Sequence, residues 1–134
     1  MATDPAFAAT VNLGGALLGA VETNLQVPTT ASTIVTAGAS GTRIDEITVQ
    51  ASATSLVATT VAGLVYIFLY DGTHYRLFDT YPVNAITVSA TVQPFRLSRI
   101  YQNLILKNGW SLVASQSQSS NASILQCLAF GADF

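Results

Sequence analysis

The side chains able to do chemistry are few and scattered. His74 is the only histidine and Cys127 the only cysteine, with seven carboxylates and five basic groups spread over 134 residues. His74 stands near Asp71 and Asp79 in a serine-rich chain, the ingredients of a Ser-His-Asp triad, but no G-x-S-x-G elbow marks a nucleophile. It reads as a solvated turn histidine. Asp45 and Glu46 are adjacent carboxylates; strand neighbours face opposite sides of a sheet, so without a bulge they do not converge on a substrate. With Arg43 they read as an ion-paired strand entry. One imidazole cannot build the usual catalytic zinc site, and one thiol cannot form an internal disulfide. Cys127, between Gln126 and Leu128 with no basic neighbour, reads as a buried and inert thiol. Neither a phosphate-cradling glycine loop nor a metal-ligand cluster is present. These residues point away from an enzyme and imply no cofactor and no metal.

Composition narrows the partners. Five Lys and Arg against seven Asp and Glu leave a net charge of −2, which excludes nucleic acid as a primary ligand because such binding rests on many phosphate contacts. Leu, Ile, Val and Phe supply 40 of 134 residues, enough for a packed core. Serine and threonine together number 28, so the polar surface is mostly hydroxyl and amide and repels neighbours poorly. No segment reads as a targeting signal: Asp4 precedes the mildly apolar Leu13 to Val21 and no basic region does. The Asn121-Ala122-Ser123 sequon therefore carries no weight. Leu56 to Tyr70 is the most apolar run, but a spanning helix needs about 20 residues; it is too short, is rich in β-branched and aromatic residues, and reads as a buried strand. No membrane partner is expected.

The elements that position these residues are strands. Leu17 to Leu25 and Thr33 to Ala37 have strand character, preceded by an arm over Met1 to Thr10. From Ile47 onward Val49, Ala51 and Ala53 keep one face, while Ile44 is out of phase by one residue, as a bulge at Asp45-Glu46 produces. In Leu64 to Tyr70, Val65, Ile67 and Leu69 alternate with Tyr66, Phe68 and Tyr70; both faces are apolar, so the strand is expected to be central. Asp71-Gly72 predicts a two-residue type I′ hairpin returning over Tyr75 to Tyr81, with Pro82 ending that run. Ala85 to Val92 and Phe95 to Leu106 follow as strands. Asn108-Gly109 predicts a second hairpin into Trp110 to Ser115, and Ser123 to Phe130 is the last strand. Eight or nine short strands with no helical stretch predict an all-β antiparallel sandwich, with a jelly roll as the first expectation. Residues 1–32 read as an N-terminal arm with the first strand or strands, and residues 33–134 as the sandwich domain.

Aromatic and charged residues mark a partner interface. Phe68, Phe78 and Trp110 are expected in the core. Tyr66 and Tyr70, on the face opposite Val65, Ile67 and Leu69, are candidates for contact, since tyrosine buries a large body while its hydroxyl finds a partner. Arg96 and Arg99, with Lys107, suit an acidic patch on a protein, and Arg43, Asp45 and Glu46 complete the candidate set.

Four segments together carry a resemblance: Thr36-Ala37-Gly38-Ala39-Ser40-Gly41-Thr42-Arg43-Ile44-Asp45-Glu46-Ile47; Ile67-Phe68-Leu69-Tyr70-Asp71-Gly72-Thr73-His74-Tyr75-Arg76-Leu77; Asn108-Gly109-Trp110-Ser111-Leu112; and Ala129-Phe130-Gly131-Ala132-Asp133-Phe134. In this order and spacing they resemble a class of small tailed-bacteriophage virion proteins, over roughly residues 33–134. The resemblance implies a virion component. Similarity to capsid decoration (cement) proteins of this size implies an oligomeric β-sandwich on the outer surface of the capsid, made in the host cytoplasm. Its partner would be the major capsid protein, at a local threefold or twofold axis, with a homo-oligomeric trimer favoured over a dimer. A tail, fibre or baseplate adaptor binding a host surface ligand is the alternative. Because the last strand reaches almost to Phe134, deleting the final ten residues is expected to abolish cooperative thermal unfolding followed by circular dichroism.

Overall fold

The computed structural model describes residue 8 and residues 10–53, 59–119 and 123–134. Among the described residues there are eight strands: β1 (Thr10–Leu18), β2 (Ser32–Thr36), β3 (Thr42–Ala53), β4 (Gly63–Tyr70), β5 (Tyr75–Val83), β6 (Arg96–Leu106), β7 (Ser111–Gln116) and β8 (Ser123–Asp133). They form two four-stranded antiparallel sheets packed as a sandwich, β1-β8-β3-β6 and β2-β7-β4-β5. The pairing is nested: first with last, second with seventh, third with sixth, fourth with fifth. Two further pairings, β3 with β8 and β4 with β7, join these pairs into sheets. The core lies between the layers, where Ile47, Val49, Val65, Ile67, Leu112 and Cys127 are among the side chains fully removed from solvent.

Period-2 alternation explains most of this. Leu125, Cys127 and Ala129 of β8 point inward, while Phe130 is exposed on the outward face. On β3 the alternation breaks where expected: the register shifts between Ile44 and Glu46 against both β6 and β8, so Ile44 and Ile47 are both buried although three apart. The bulge has a partner in the terminal segment. Gly131 lies opposite Ile44, and a Cβ there would sit 2.1 Å from the Arg43 carbonyl oxygen. On the other side Ile100 pairs with Glu46 and Leu104 with Ile44, so Tyr101, Gln102 and Asn103 loop out of the ladder. Asn103 takes φ 61°, a conformation asparagine tolerates better than most residues.

Leu64 to Tyr70 is central, as its two apolar faces imply: β4 lies between β7 and β5. Other expectations need correction. The first strand is Thr10–Leu18, earlier than Leu17 to Leu25, and it is an edge strand of the sandwich along β8. Apart from Ala8, residues 1–9 lie outside the described residues, as does the arm expected there. Asp71-Gly72 does not form a type I′ turn, which needs two positive φ angles. Asp71 N–H donates to the His74 carbonyl at 3.2 Å, and only Gly72, at φ 96°, is in the left-handed region; the tip is Gly72-Thr73. Lys107 to Trp110 does turn, closed by a 2.9 Å bond from Trp110 N–H to the Lys107 carbonyl, but β6 and β7 lie in opposite sheets. The Trp110 carbonyl accepts Ala37 N–H, which draws β7 onto β2.

Pro82 sits inside β5 without ending it; an edge strand leaves one row of N–H groups unneeded. Ala85 to Val92 is not a strand. It crosses between sheets, tied to the segment before β4 by the isolated Thr59–Thr87 bridge and the Thr60 N–H bond to the Ile86 carbonyl, and the Ser89 hydroxyl accepts N–H bonds from Thr91 and Val92, a side-chain turn that competes with pairing. Because Gly131 has no room for a side chain beneath the Arg43 carbonyl, Gly131→Ala is expected to cost about 1–3 kcal/mol in urea unfolding. Unchanged stability would mean that the bulge relaxes freely.

Candidate interaction surfaces

The candidate residues separate into three places. Arg43, Asp45, Glu46 and Arg96 share the outward side of the first sheet, on β3 and β6. Arg43 Nε donates to Asp45 Oδ1 at 2.8 Å and Nη2 to Oδ2 at 3.3 Å, a forked pair made possible because the bulge turns both side chains outward. Glu46 accepts the Thr48 hydroxyl at 3.4 Å, and Arg96 pairs across from Gln50. The ion-paired strand entry is therefore what the structure contains. Outward on the rest of this sheet are apolar groups: Val11, Leu13 and Leu17 on β1, Phe130 on β8, and Ile100 and Ile105 on β6, all exposed.

Tyr66 and Tyr70 lie on the opposite outward face, that of the second sheet, both half-buried. Tyr70 stacks on Tyr75 with centroids 4.3 Å apart and planes 19° apart, and its hydroxyl donates to the Gly72 carbonyl at 2.9 Å. Phe68 between them is fully buried although it belongs to the same outward row; Tyr66 and Tyr75 flank it at 6.4 and 6.3 Å. The aromatics thus cover one another. Trp110 packs against the core while half-exposed, with the Arg76 guanidinium 5.8 Å from its ring. Phe78 is not core: it is the residue left over where β5 shifts register between Leu77 and Asp79, and it is 37% exposed.

Arg99 belongs to neither face, and Arg96, Arg99 and Lys107 do not come together. Arg99 Nη1 donates to Asp79 Oδ1 at 2.7 Å and to the Thr80 carbonyl at 3.0 Å, and its guanidinium lies 4.5 Å from the Tyr81 ring centre. Tyr101, in the segment looped out of β6, donates to Asp79 Oδ2 at 2.6 Å. Its single proton being used there, the hydrogen bond between the two hydroxyls has Tyr81 as donor. Burial first, and then the hydrogen bond to Asp79, raises the Tyr101 pKa; burial pushes Tyr81 up to about 12. Burial alone would raise the Asp79 pKa, but Tyr101 and Arg99 override it and hold it down. The cluster spans from β5 to β6 and seals one open edge of the sandwich. At the end of β8, between β1 and β3, Asp133 accepts from Asn12 at 2.8 Å and from the Thr42 hydroxyl.

Glu22 was visible in the sequence only as a lone charge, and it organises the segment between β1 and β2. Its buried carboxylate accepts N–H bonds from Thr23, Asn24, Thr29 and Thr30, at 2.8 to 3.2 Å, and the Thr30 hydroxyl at 2.7 Å. Burial works to raise its pKa; the donors from Thr30, then Asn24 and Thr29, win and hold it at about 2. The available signal was an isolated acid in a stretch of Thr and Asn, residue types that favour such turns. Asp71 plays the same part at the hairpin tip, accepting Thr73 and His74 N–H groups and Arg76 Nη1 at 2.7 to 2.9 Å. His74 is largely exposed, 3.7 Å from Asp71, as a solvated turn histidine is. Burial pushes the Cys127 thiol up to about 12, leaving it protonated and inert. The Asn121 sequon lies outside the described residues, among which no group of three His, Cys, Asp or Glu could hold a metal.

Fold and surfaces together define an antiparallel β-sandwich whose carboxylates are used to hold turns and edges, with broad apolar and aromatic outward faces. No family model, curated protein or solved structure matches the chain.

A carboxylate whose folded pKa is depressed contributes stability that is complete above its unfolded value and is lost as pH falls through the folded one. For Glu22 that window runs from 4.5 down to about 2. Glu22→Gln is expected to cost about 1–3 kcal/mol at pH 7 and to flatten the decline in urea midpoint between pH 5 and 2. Parallel declines in the two proteins would show that the carboxylate is not the anchor.

Proposed function

We propose that this protein is a non-enzymatic structural component of a tailed-bacteriophage virion, one that decorates the outer capsid surface and bridges neighbouring major capsid subunits as a homo-oligomer. The observation that carries this reading is the division of labour among its polar groups. Glu22, Asp71, Asp79 and Asp133 each accept two or more hydrogen bonds that hold a turn or an edge, and Asp45 is paired with Arg43. Apart from Arg43, Asp45, Glu46 and Arg96 on β3 and β6, what the sheets turn outward is mostly apolar, aromatic or hydroxylic, the composition of an interface core, which is depleted in charge.

Two further features support it. The nested strand pairing supports a jelly-roll reading, an architecture used by capsid proteins among others. The segments that carry the phage resemblance also depend on one another physically: Arg43 to Glu46 forms the bulge, and Gly131 of the terminal segment is the residue that fits beneath it. The mechanism is clamping. A protein that binds only the expanded lattice stabilises that lattice by mass action, with no chemistry at the site and no nucleic acid, membrane or cofactor involved.

The exposed hairpin tip, with His74 in solvent beside the stacked Tyr70 and Tyr75, favours the second reading, a tail, fibre or baseplate adaptor. Immunogold labelling of intact virions with antibody to the purified protein separates the two. Dense label over heads is expected; label confined to tails rejects decoration and makes the adaptor reading primary. Arg43→Ala removes an exposed pair worth about 0–1 kcal/mol, so the melting temperature should hold while occupancy on the particle falls. Unchanged occupancy removes Arg43 from the contact.

A further inference from the structure

We propose that the β1/β8 half of the first sheet's outward face pairs with the same face of a second copy of this chain, forming a twofold dimer. This inference deepens the decoration reading without depending on it. On β1 the odd residues point outward, leaving Val11, Leu13 and Leu17 exposed by 72, 60 and 62%. Across the ladder Val11 lies beside Ala132, Leu13 beside Phe130 and Gly15 beside Leu128. Leu128 leans over Gly15, its Cδ2 2.9 Å from where a Cβ would be, so the position without a side chain is filled and the face stays flat. Flat apolar faces are what sheet-on-sheet packing at about 10 Å requires.

Area and charge select a copy of the same chain as occupant. With Ile124 and Phe130, both exposed on β8, the open apolar surface of β1 and β8 is on the order of 500 Å², so two copies face to face cover about 1,000 Å², the size at which a specific interface begins. β1 carries no titratable side chain, and Asp133, the one acid of β8, is bound to Asn12 and Thr42. The charges of this sheet, Arg43, Asp45, Glu46 and Arg96, lie on the β3 and β6 side, two of each sign. A partner recognised by charge has nothing to read on β1 and β8, whereas a second copy meets no repulsion and desolvates no ion. A patch that meets the same patch of a second copy makes a self-complementary contact, and such contact is twofold. A trimer would need two different complementary surfaces. β1 is also an edge strand with neither charge nor proline to discourage association. The outward face of the second sheet competes poorly, since its aromatic rings already cover one another.

The test is sedimentation equilibrium on the purified full-length protein. Wild type is expected at twice the 14.0 kDa chain mass. The double variant L13E/L17E is expected at the monomer mass, its dissociation constant raised at least about 30-fold, with the near-UV spectrum retained. Leu77→Glu, on the second sheet, should remain dimeric. If the double variant loses its near-UV spectrum, Val11→Lys, at the most exposed of the three β1 positions, supplies the same reading. A monomeric or trimeric wild type overturns the proposal, as does a dimer indifferent to these β1 changes. So does a monomer whose binding to phage heads is lost in L13E/L17E, which would give the face to the shell. A monomer on head-labelled virions leaves decoration standing, and a dimer on tail-labelled virions leaves the dimer standing.

Discussion

The structure depends on one extra residue in β3. An antiparallel ladder admits a single phase of side chains on each face, and Asp45 resets that phase, so Ile44 and Ile47 both enter the core while Arg43, Asp45 and Glu46 stay outside. The reset propagates to both neighbours. β8 accommodates it with Gly131, which lets the Arg43 carbonyl come closer than any side chain would allow. β6 accommodates it by leaving Tyr101 to Asn103 out of register, and that departure carries the Tyr101 hydroxyl to Asp79. A bulge is a local feature, but here it sets which side chains are buried on three adjacent strands.

A sandwich of two open sheets has a second problem, its edges. The nested order puts β6 and β5 along one side, and there the sealing groups are polar: Asp79, Arg99, Tyr81 and Tyr101 satisfy one another. Such a cluster is costly to bury half-paired and stable when every member has a partner. Arg99 is therefore withdrawn from the interface role its position beside Arg96 suggested. Strand neighbours three apart fall on opposite sides, so a cluster of basic residues in sequence need not be a cluster in space.

What was legible in the sequence followed from periodicity. The two-sided apolar pattern of β4 marked a central strand, and the phase slip at Ile44 marked the bulge, because both are properties of alternation alone. What was not legible depended on partners far along the chain. Asn108-Gly109 announces a turn, but whether the next strand returns to the same sheet is decided by Ala37, which bonds to Trp110. Ala85 to Val92 has strand residues but no neighbouring strand to pair with along its length. Glu22 illustrates the same limit for side chains. A carboxylate and five donors read as loop composition until the backbone closes around them, and only then does the acid become the organiser of residues 22–30.

These internal commitments determine the character of the outside. The chain has seven acids and five bases, and most of those in the described residues are consumed in holding turns and edges. Few charges remain to keep copies apart, and none of them is on β1. A surface can lose its repulsion through low charge or through charges spent elsewhere; here both act on the same face. Association is then the ordinary consequence of the composition, and the sheet's geometry decides only which surfaces meet. The aromatic rows of the second sheet have already satisfied one another, whereas Val11, Leu13 and Leu17 stand exposed. Apolar area gains nothing while it faces water, so the face with the most of it still open is the one that association covers.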